Sequence, residues 1–360
     1  MTGAPRVLLL ALPLMARSGV YRSTHDLVRA ARAAGLPWSA VVGVRPTASG
    51  EPIETEGVRE VAVAAHGRRV VDEIEQVIRD AGEVSEADLI VSMISQTDIA
   101  LARRKSTLGQ PWVAWVRGIP WPDKGEQSFA RRLLLRVLET RALRAADEVW
   151  ATTPVLAQQF ASAAEAKIVP AGIASTERIS HGENGHSPLV WAGRIDVDKR
   201  PQLFLQIVEL LQTRARVFGE GPLLRSIEAD APDGVEWRGW VEGGRLWTDA
   251  SLFVGTSARE AFGRSAVEAA CAGLPVVISS AYGAAPLLFT DPALKAACVI
   301  DSDEPGVWAA AIRRLLTDVS LRSAVSEHVH RNAMSLTIER SVLRAAEEAA
   351  GILAGREDRA

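Results

Sequence analysis

The sequence predicts an α/β protein made of two successive, doubly wound parallel-sheet domains. Three observations predict it. Short apolar runs alternate with helical patterns from end to end, the runs are continuous rather than alternating with polar residues, and the pattern pauses at 174–188 before restarting. Continuous apolar strands are what a parallel sheet covered by helices on both faces requires. At 360 residues the chain also exceeds what one hydrophobic core usually supports.

The first strand is expected at 7–12, where six apolar residues follow Arg6. A signal peptide also opens with a basic residue and an apolar run, but no small-residue cleavage site follows, so a buried strand is the reading. A turn at Ser18-Gly19 leads to an amphipathic helix over 23–34, stopped by Gly35. Further strands are expected at 40–44, 89–94, 113–116, 149–151 and 168–169, with helices at 70–80 and 129–145 among the connections. The stretch 174–188 carries Gly182, Asn184-Gly185 and Pro188 and reads as a linker. Its His181 and His186 read as solvated loop residues rather than a metal pair. Strands then resume at 189–192, 216–218, 235–237, 252–254 and 276–278. Domains are expected over 1–175 and 187–338.

Composition narrows the function classes. Hydrophobic residues at 48% and charged ones at 24% describe an ordinary globular protein. No apolar run approaches the roughly 20 residues that cross a bilayer. Cys271 and Cys298 give neither a disulfide framework nor a metal-site spacing, which fits a reducing, cytoplasmic setting. A net charge of −3 argues against wholesale nucleic-acid binding.

The chemistry concentrates in the second half. Arg259-Glu260-Ala261-Phe262-Gly263-Arg264-Ser265-Ala266-Val267-Glu268 follows a strand and opens a helix that stops at Gly273-Leu274-Pro275. Glu260 therefore belongs to a strand-to-helix loop, and doubly wound sheets bind ligands outside the carboxyl ends of their strands. Phe262-Gly263 and the following Arg264 sit at the helix N-terminus, where free N–H groups receive a phosphate. Glu268 lies about one turn further on, positioned to accept hydrogen bonds from a ribose. Alone, two glutamates eight positions apart favour a plain strand–loop–helix unit with an N-terminal carboxylate stabilised by the helix dipole. Gly193-Arg194-Ile195-Asp196-Val197-Asp198-Lys199 follows the strand 189–192. Arg194 and Lys199 there could neutralise a departing diphosphate, or could be paired with Asp196 and Asp198 on an ordinary charged loop. The turn Phe218-Gly219-Glu220-Gly221-Pro222 says little by itself.

Together these segments resemble glycosyltransferase family 4, of the GT-B superfamily. The resemblance runs from Trp191-Ala192-Gly193-Arg194 through Phe218-Gly219-Glu220-Gly221-Pro222 and Val235-Glu236-Trp237-Arg238-Gly239. It continues with Ala250-Ser251-Leu252-Phe253-Val254-Gly255-Thr256-Ser257, Glu260-Ala261-Phe262-Gly263 and Glu268-Ala269, and ends at Ala272-Gly273-Leu274-Pro275-Val276-Val277. It implies two facing Rossmann-like domains, the first binding acceptor and the second binding a nucleotide-sugar donor. It also implies a closing helix near 341–353 that returns to the first domain, so that 340–360 completes it. Arg194 and Lys199 would grip the donor diphosphate, Glu260 would contact the transferred sugar, and Glu268 would bind the ribose. Transfer would retain anomeric configuration without a metal or other cofactor, from a UDP- or GDP-sugar to a glycan, lipid-linked or small-molecule acceptor.

In the first half, the resemblance rests on Ala87-Asp88-Leu89-Ile90, Pro111-Trp112-Val113, Ala146-Asp147-Glu148-Val149 and Ile168-Val169-Pro170-Ala171-Gly172-Ile173. Gly19 matches the glycine turn that approaches the donor phosphate. Many members place a histidine before the glycine of the strand end that here reads Val116-Arg117-Gly118. Arg117 replaces it, which fits an acidic sugar or a different geometry. A sugar-nucleotide epimerase, a phosphorolytic enzyme or a non-catalytic nucleotide-sugar binder would share the fold.

Basic residues crowd the stretch 101–145, where Arg131, Arg132, Arg136, Arg141 and Arg144 interleave with Leu133, Leu134, Val137, Leu138 and Leu143. A basic amphipathic helix of this kind can rest on an anionic membrane, which would place the protein peripherally on the inner face of the cell membrane. The favoured expectation is a helix packed on its own sheet with solvated arginines.

Overall fold

Val7 to Leu12 are all buried, because the strand that they begin, β1 (Val7–Ala16), lies inside a sheet with helices on both faces. The structure is a computed structural model that describes residues 4–17, 19–67, 69–119, 121, 128–179, 187–241 and 246–357. Gly182, Asn184-Gly185, His181 and His186 of the expected linker, and Ser18 of the first turn, lie outside the described residues.

The chain divides into two compact units, Met1–Gly172 with Ile338–Ala360, and Ile173–Thr337. In the first, β1 is joined by β2 (Ser39–Ser49), β3 (Val58–Ala62), β4 (Leu89–Ser92), β5 (Trp112–Val116), β6 (Glu148–Ala151) and β7 (Lys167–Ile168), in the order β3-β2-β1-β4-β5-β6-β7. In the second, β8 (Leu189–Ala192), β9 (Ala215–Phe218), β10 (Val235–Trp237), β11 (Leu252–Gly255), β12 (Val276–Ser279) and β13 (Val299–Ile300) run β10-β9-β8-β11-β12-β13. All strand pairs in both sheets are parallel. Each order reverses once, between β1 and β4 and between β8 and β11. Such a reversal leaves a crevice outside the strand ends.

Two strands escape the sequence pattern for a physical reason. β3 is an edge strand with no fully buried residue, so Val58-Arg59-Glu60-Val61-Ala62 is mixed rather than continuously apolar. β13 is two residues long. The first helix, Val20–Ala33, starts three residues before the expected position, directly after Gly19. The closing helix spans Ile338–Glu357. Its Ile338, Val342, Ala345 and Ala349 share one core with Leu9, Leu27 and Val28 of the first unit, and their spacing puts them on one helix face.

The helix Phe129–Ala145 has the expected bounds, but only Ala142 and Leu143 are buried. Its first turns do not pack their large apolar residues on the sheet. Among the described residues no helix is long and apolar enough to cross a membrane.

A buried acid sits behind β4 and β5. Asp98, in the helix Ser95–Arg104, is almost fully enclosed. Ser92 Oγ donates to its Oδ1 at 2.5 Å and accepts from Trp112 Nε1 at 2.6 Å. Burial pushes the Asp98 carboxyl up to about 7, against the pull of Ser92 and with a small push from Glu139. A raised folded-state value destabilises the fold as pH climbs from the ordinary aspartate range through 7, because the unfolded chain ionises first. Asp98→Asn should therefore raise the melting temperature at pH 8 and leave it nearly unchanged at pH 4, the gain at pH 8 being at most about 4 kcal/mol for three units. Thermal unfolding of both proteins across that range checks it.

Candidate active site

β8 ends at Ala192, and the chain turns through Gly193, Arg194 and a short 3-10 turn, Val197–Lys199. Asp196 caps that turn by accepting from the Lys199 N–H at 3.1 Å, and its carboxylate also pairs with the Arg194 guanidinium. The Arg194 side chain is nonetheless 72% exposed, so its outer donors remain open to a ligand.

The loop rests on the glycine turn after β9. A Cβ on Gly219 would stand 1.9 Å from the Gly193 carbonyl oxygen, and one on Gly221 would stand 2.3 Å from that of Ile195. Ile195 N–H donates to the Glu220 carbonyl at 2.8 Å, and Leu223 N–H returns to the Ile195 carbonyl at 3.1 Å. Gly219 N–H in turn donates to the Gly239 carbonyl at 2.7 Å. The ends of β8, β9 and β10 thus form one backbone layer. Residues 218–222, weak as a sequence signal, are the floor on which Arg194 stands.

β11 supplies the opposite wall. Thr256 Oγ1 lies 2.9 Å and 3.0 Å from the carbonyls of Lys199 and Arg200 and accepts from Trp191 Nε1 at 3.0 Å. Ala258 N–H donates to the Asp198 carbonyl at 2.7 Å. These contacts bind the loop after β11 to the loop after β8. They bring the Lys199 ammonium into an ion pair with the Glu260 carboxylate, both side chains being mostly buried. Of the charged-loop alternative, the pairing of Arg194 with Asp196 forms, whereas Lys199 pairs with Glu260 rather than with either aspartate.

A residue that sequence reasoning missed holds Glu260 in place. Tyr282, just beyond β12, is buried and forms a parallel backbone bridge with Glu260. Next to it, Gly283 N–H donates to the Glu260 carbonyl and Ala284 N–H to that of Phe262, both at 2.9 Å. A Cβ on Gly263 would stand 2.3 Å from the Tyr282 ring, and one on Gly255 would stand 2.5 Å from its hydroxyl oxygen. Ser257 Oγ donates to that oxygen at 3.3 Å. Burial, and then the negative charge of Glu260, push the phenol well above its ordinary range. The only hint in the sequence is the demand for glycine at both 255 and 263.

Gly263, at φ 95°, caps the helix Arg264–Cys271 without a capping side chain, which leaves first-turn N–H groups for an anion. Arg264 pairs with Glu268 at 3.3 Å along the helix. Burial raises the Glu268 carboxyl, with Arg264 opposing. Phe262 is buried beneath this turn. Arg194, Lys199, Glu260, Phe262, Gly263, Arg264 and Glu268 therefore all belong to the second unit.

Gly19 and Arg117 belong to the first. Gly19 caps the helix Val20–Ala33 at φ 53° with open space where a Cβ would be. Arg117, at the end of β5, stacks over Trp115 at 4.8 Å and donates to the Ala171 carbonyl at 3.3 Å. Among the described residues no group of three or more His, Cys, Asp or Glu is placed to hold a metal ion.

Two doubly wound parallel-sheet units in one chain, the second with Lys199 and Glu260 paired at the ends of β8 and β11, have the architecture of the GT-B class. Residues 18–172 match the family described as "Glycosyl transferase 4-like domain", and residues 187–318 match "Glycosyl transferases group 1". The chain belongs to the family 4 type of these glycosyltransferases. Over 97 residues it is 33% identical to D-inositol 3-phosphate glycosyltransferase of Salinispora arenicola, a stretch making up 27% of this chain and 21% of that relative. The chain therefore matches about a fifth of the relative's length. Among solved structures, sucrose-phosphate synthase from Thermosynechococcus elongatus superposes with a TM-score of 0.79 at 16% identity, over 98% of this chain and 100% of that one. Anabaena HepE in complex with UDP and glucose gives 0.71 at 18%, over 96% and 100%. At such identities the likeness speaks for fold alone.

If Tyr282 positions Glu260, Tyr282→Ala should lower turnover at least about tenfold, the scale of losing a preorganised contact, with a smaller change in nucleotide affinity. Tyr282→Phe, which keeps the ring, should restore most of it. Steady-state kinetics beside nucleotide titration separates the two effects.

Proposed function

We propose that this protein is a retaining glycosyltransferase that moves a sugar from a nucleotide diphosphate donor, UDP or GDP, to a glycan, lipid-linked or small-molecule acceptor. The observation that carries this reading is the Lys199–Glu260 ion pair across the ends of β8 and β11, with the exposed Arg194 on the same loop as Lys199. In the free protein each member neutralises the other. A donor diphosphate would draw Lys199 and Arg194 to its oxygens and free the Glu260 carboxylate to hold hydroxyls of the transferred sugar. As the sugar–phosphate bond breaks, the two cations stabilise charge growing on the diphosphate, where fixed donors act most strongly. They do this without a metal, and a metal would be repelled from between them. The departing phosphate assists attack by the acceptor on the same face, which retains the anomeric configuration. Glu260 orients and stabilises.

HepE, which shares the fold, is solved in complex with UDP and glucose, so UDP-glucose is the first donor to assay. The name of the Salinispora relative makes a phosphorylated cyclitol a reasonable first small-molecule acceptor to assay. Arg117, held on Trp115, takes the place of the sugar-contacting histidine, and Gly19 leaves open backbone for a phosphate.

Arg194→Ala and Lys199→Ala should each lower turnover about 10²- to 10³-fold, the usual loss for one preorganised donor, with unfolding transitions unchanged. Near-normal rates in both would remove the phosphate assignment. The same assays should proceed in chelator, and loss of activity restored by magnesium would contradict the metal-free mechanism. Proton NMR of the product reads the anomer directly.

Glu268 must be ionised to accept from ribose hydroxyls, and its carboxyl is raised by burial. Nucleotide affinity should therefore weaken on acidification, beginning above the pH at which an ordinary glutamate titrates. In Glu268→Gln this pH dependence should disappear. Titration of UDP and GDP against pH checks it, after a thermal-shift screen has identified the base. A ligand at 100 times its dissociation constant adds about 2.7 kcal/mol.

A further inference from the structure

Arg200 holds a backbone conformation that an arginine does not adopt by itself. It stands between the 3-10 turn Val197–Lys199 and the helix Pro201–Leu211, at φ 48° and ψ 53°. In that left-handed region Cβ crowds the following carbonyl oxygen, and only glycine, with asparagine and aspartate at times, goes there routinely. For other residues the preference against it is roughly five- to thirtyfold in population. Among the described non-glycine residues Trp121, Gln212 and Asp249 also have positive φ, but only Arg200 adjoins a candidate site residue. Pro201 narrows the alternatives, because a residue before proline is kept out of the right-handed helical region. If residue 200 left its present conformation it would therefore extend, and the chain after Lys199 would straighten.

Such a conformation persists where the surroundings over-determine it. Arg200 N–H donates to the Val197 carbonyl and the Arg200 carbonyl accepts from Leu203 N–H, both at 3.2 Å. Thr256 Oγ1 lies 3.0 Å from the same carbonyl and 2.9 Å from that of Lys199. The guanidinium reaches Asp303, with Nη1 2.6 Å from Oδ1 and Nη2 3.4 Å from Oδ2. Two-pronged pairs of this kind fix direction as well as distance. Asp303 in turn belongs to a held loop after β13. Ser280 Oγ donates to Asp301 Oδ1 at 2.6 Å, Trp308 Nε1 to the Ser302 carbonyl at 2.8 Å, and Glu304 N–H to Ser302 Oγ at 3.1 Å.

We propose that Arg200 is a positioning residue: clamped by Asp303, it keeps the turn that aims Lys199 at the donor diphosphate, a role that rests on Lys199 being the diphosphate-binding cation of the proposed reaction. With residue 200 extended, the Lys199 carbonyl would turn away from Thr256 and its ammonium from Glu260. Arg200 need not touch the ligand, since its outer nitrogens already face a carboxylate. What they secure is the backbone. Glycine would reach the same conformation without a clamp, whereas alanine would have neither the freedom nor the clamp.

The test compares the full chain with Arg200→Gly, Arg200→Ala, Asp303→Asn, Arg200→Gly combined with Asp303→Asn, and Lys199→Ala. Each is titrated calorimetrically with UDP and with GDP, and the nucleotide that the unaltered chain binds more tightly decides. Arg200→Ala should weaken binding roughly five- to thirtyfold, because affinity falls with the fraction of molecules in the competent conformation. Arg200→Gly should stay within about twofold of the unaltered chain. Asp303→Asn should weaken binding about two- to fivefold, the scale of an exposed ion pair, and should add nothing once residue 200 is glycine. An arginine that touched the ligand would instead put Arg200→Gly level with Arg200→Ala, and that result would overturn the proposal. So would normal binding by Arg200→Ala with Lys199→Ala weakened, which leaves the diphosphate reading standing. Should Arg200→Ala fail to fold, Asp303→Asn decides alone. Its side chain is 80% exposed, so the change spares the core, and unaltered affinity there would equally overturn the proposal. Normal binding by Lys199→Ala, or no binding of either nucleotide by the unaltered chain, would remove the diphosphate reading and the role of Arg200 with it.

Discussion

Lys199 and Glu260, sixty-one residues apart, meet across the ends of β8 and β11, and the organisation of the second unit follows from keeping them together. Neither charge is comfortable alone in a mostly buried position, because desolvation of an unpaired ion costs several kcal/mol. Paired, they are tolerated, and in the proposed reaction an incoming anion takes the lysine and releases the carboxylate. Thr256 and Ala258 hold the two loops together.

Backbone, more than side chains, builds the surroundings of that pair. Gly219 and Gly221 let one strand end lie directly on the carbonyl oxygens of the next, at separations that no Cβ would allow. Gly255 and Gly263 leave room for the ring of Tyr282, which closes the loop from the other side. The glycines are therefore matched to neighbours, two to a carbonyl layer and two to one aromatic ring. Any side chain at these positions would displace Arg194 or Glu260 before it touched a ligand. Positioning by packed backbone also limits how far the charged side chains must be ordered at the moment of reaction.

In the first unit the polar groups serve other ends. Asp98 and Glu139 are both buried carboxyls with raised values, one behind the sheet and one on the inward side of the helix Phe129–Ala145. Turning Glu139 inward leaves the outward surface of that helix wholly basic and apolar. Arg117 is bound to Trp115 and to the Ala171 carbonyl, so its guanidinium has a fixed place at the end of β5.

The sequence alone determined the α/β class, the parallel sheets and most strand positions, because a strand buried on both faces must be continuously apolar and few other structures read that way. It also marked Arg194, Lys199 and Glu260 as candidates, since loops after strand ends in such sheets are where ligands bind, and Glu268 in the helix that follows. The edge strand β3 was hidden by its exposure, and two-residue β13 by its length. Tyr282 was hidden because its role depends on Gly255 and Gly263 lying on either side of its ring, and nothing local to residue 282 records that. Likewise, the pattern of Phe129–Ala145 could not say which side of the helix meets the sheet. That rotation is decided by the neighbouring strands and helices, which turn Ala142, Leu143 and Glu139 inward and leave Phe129, Leu133, Leu134 and Val137 outside.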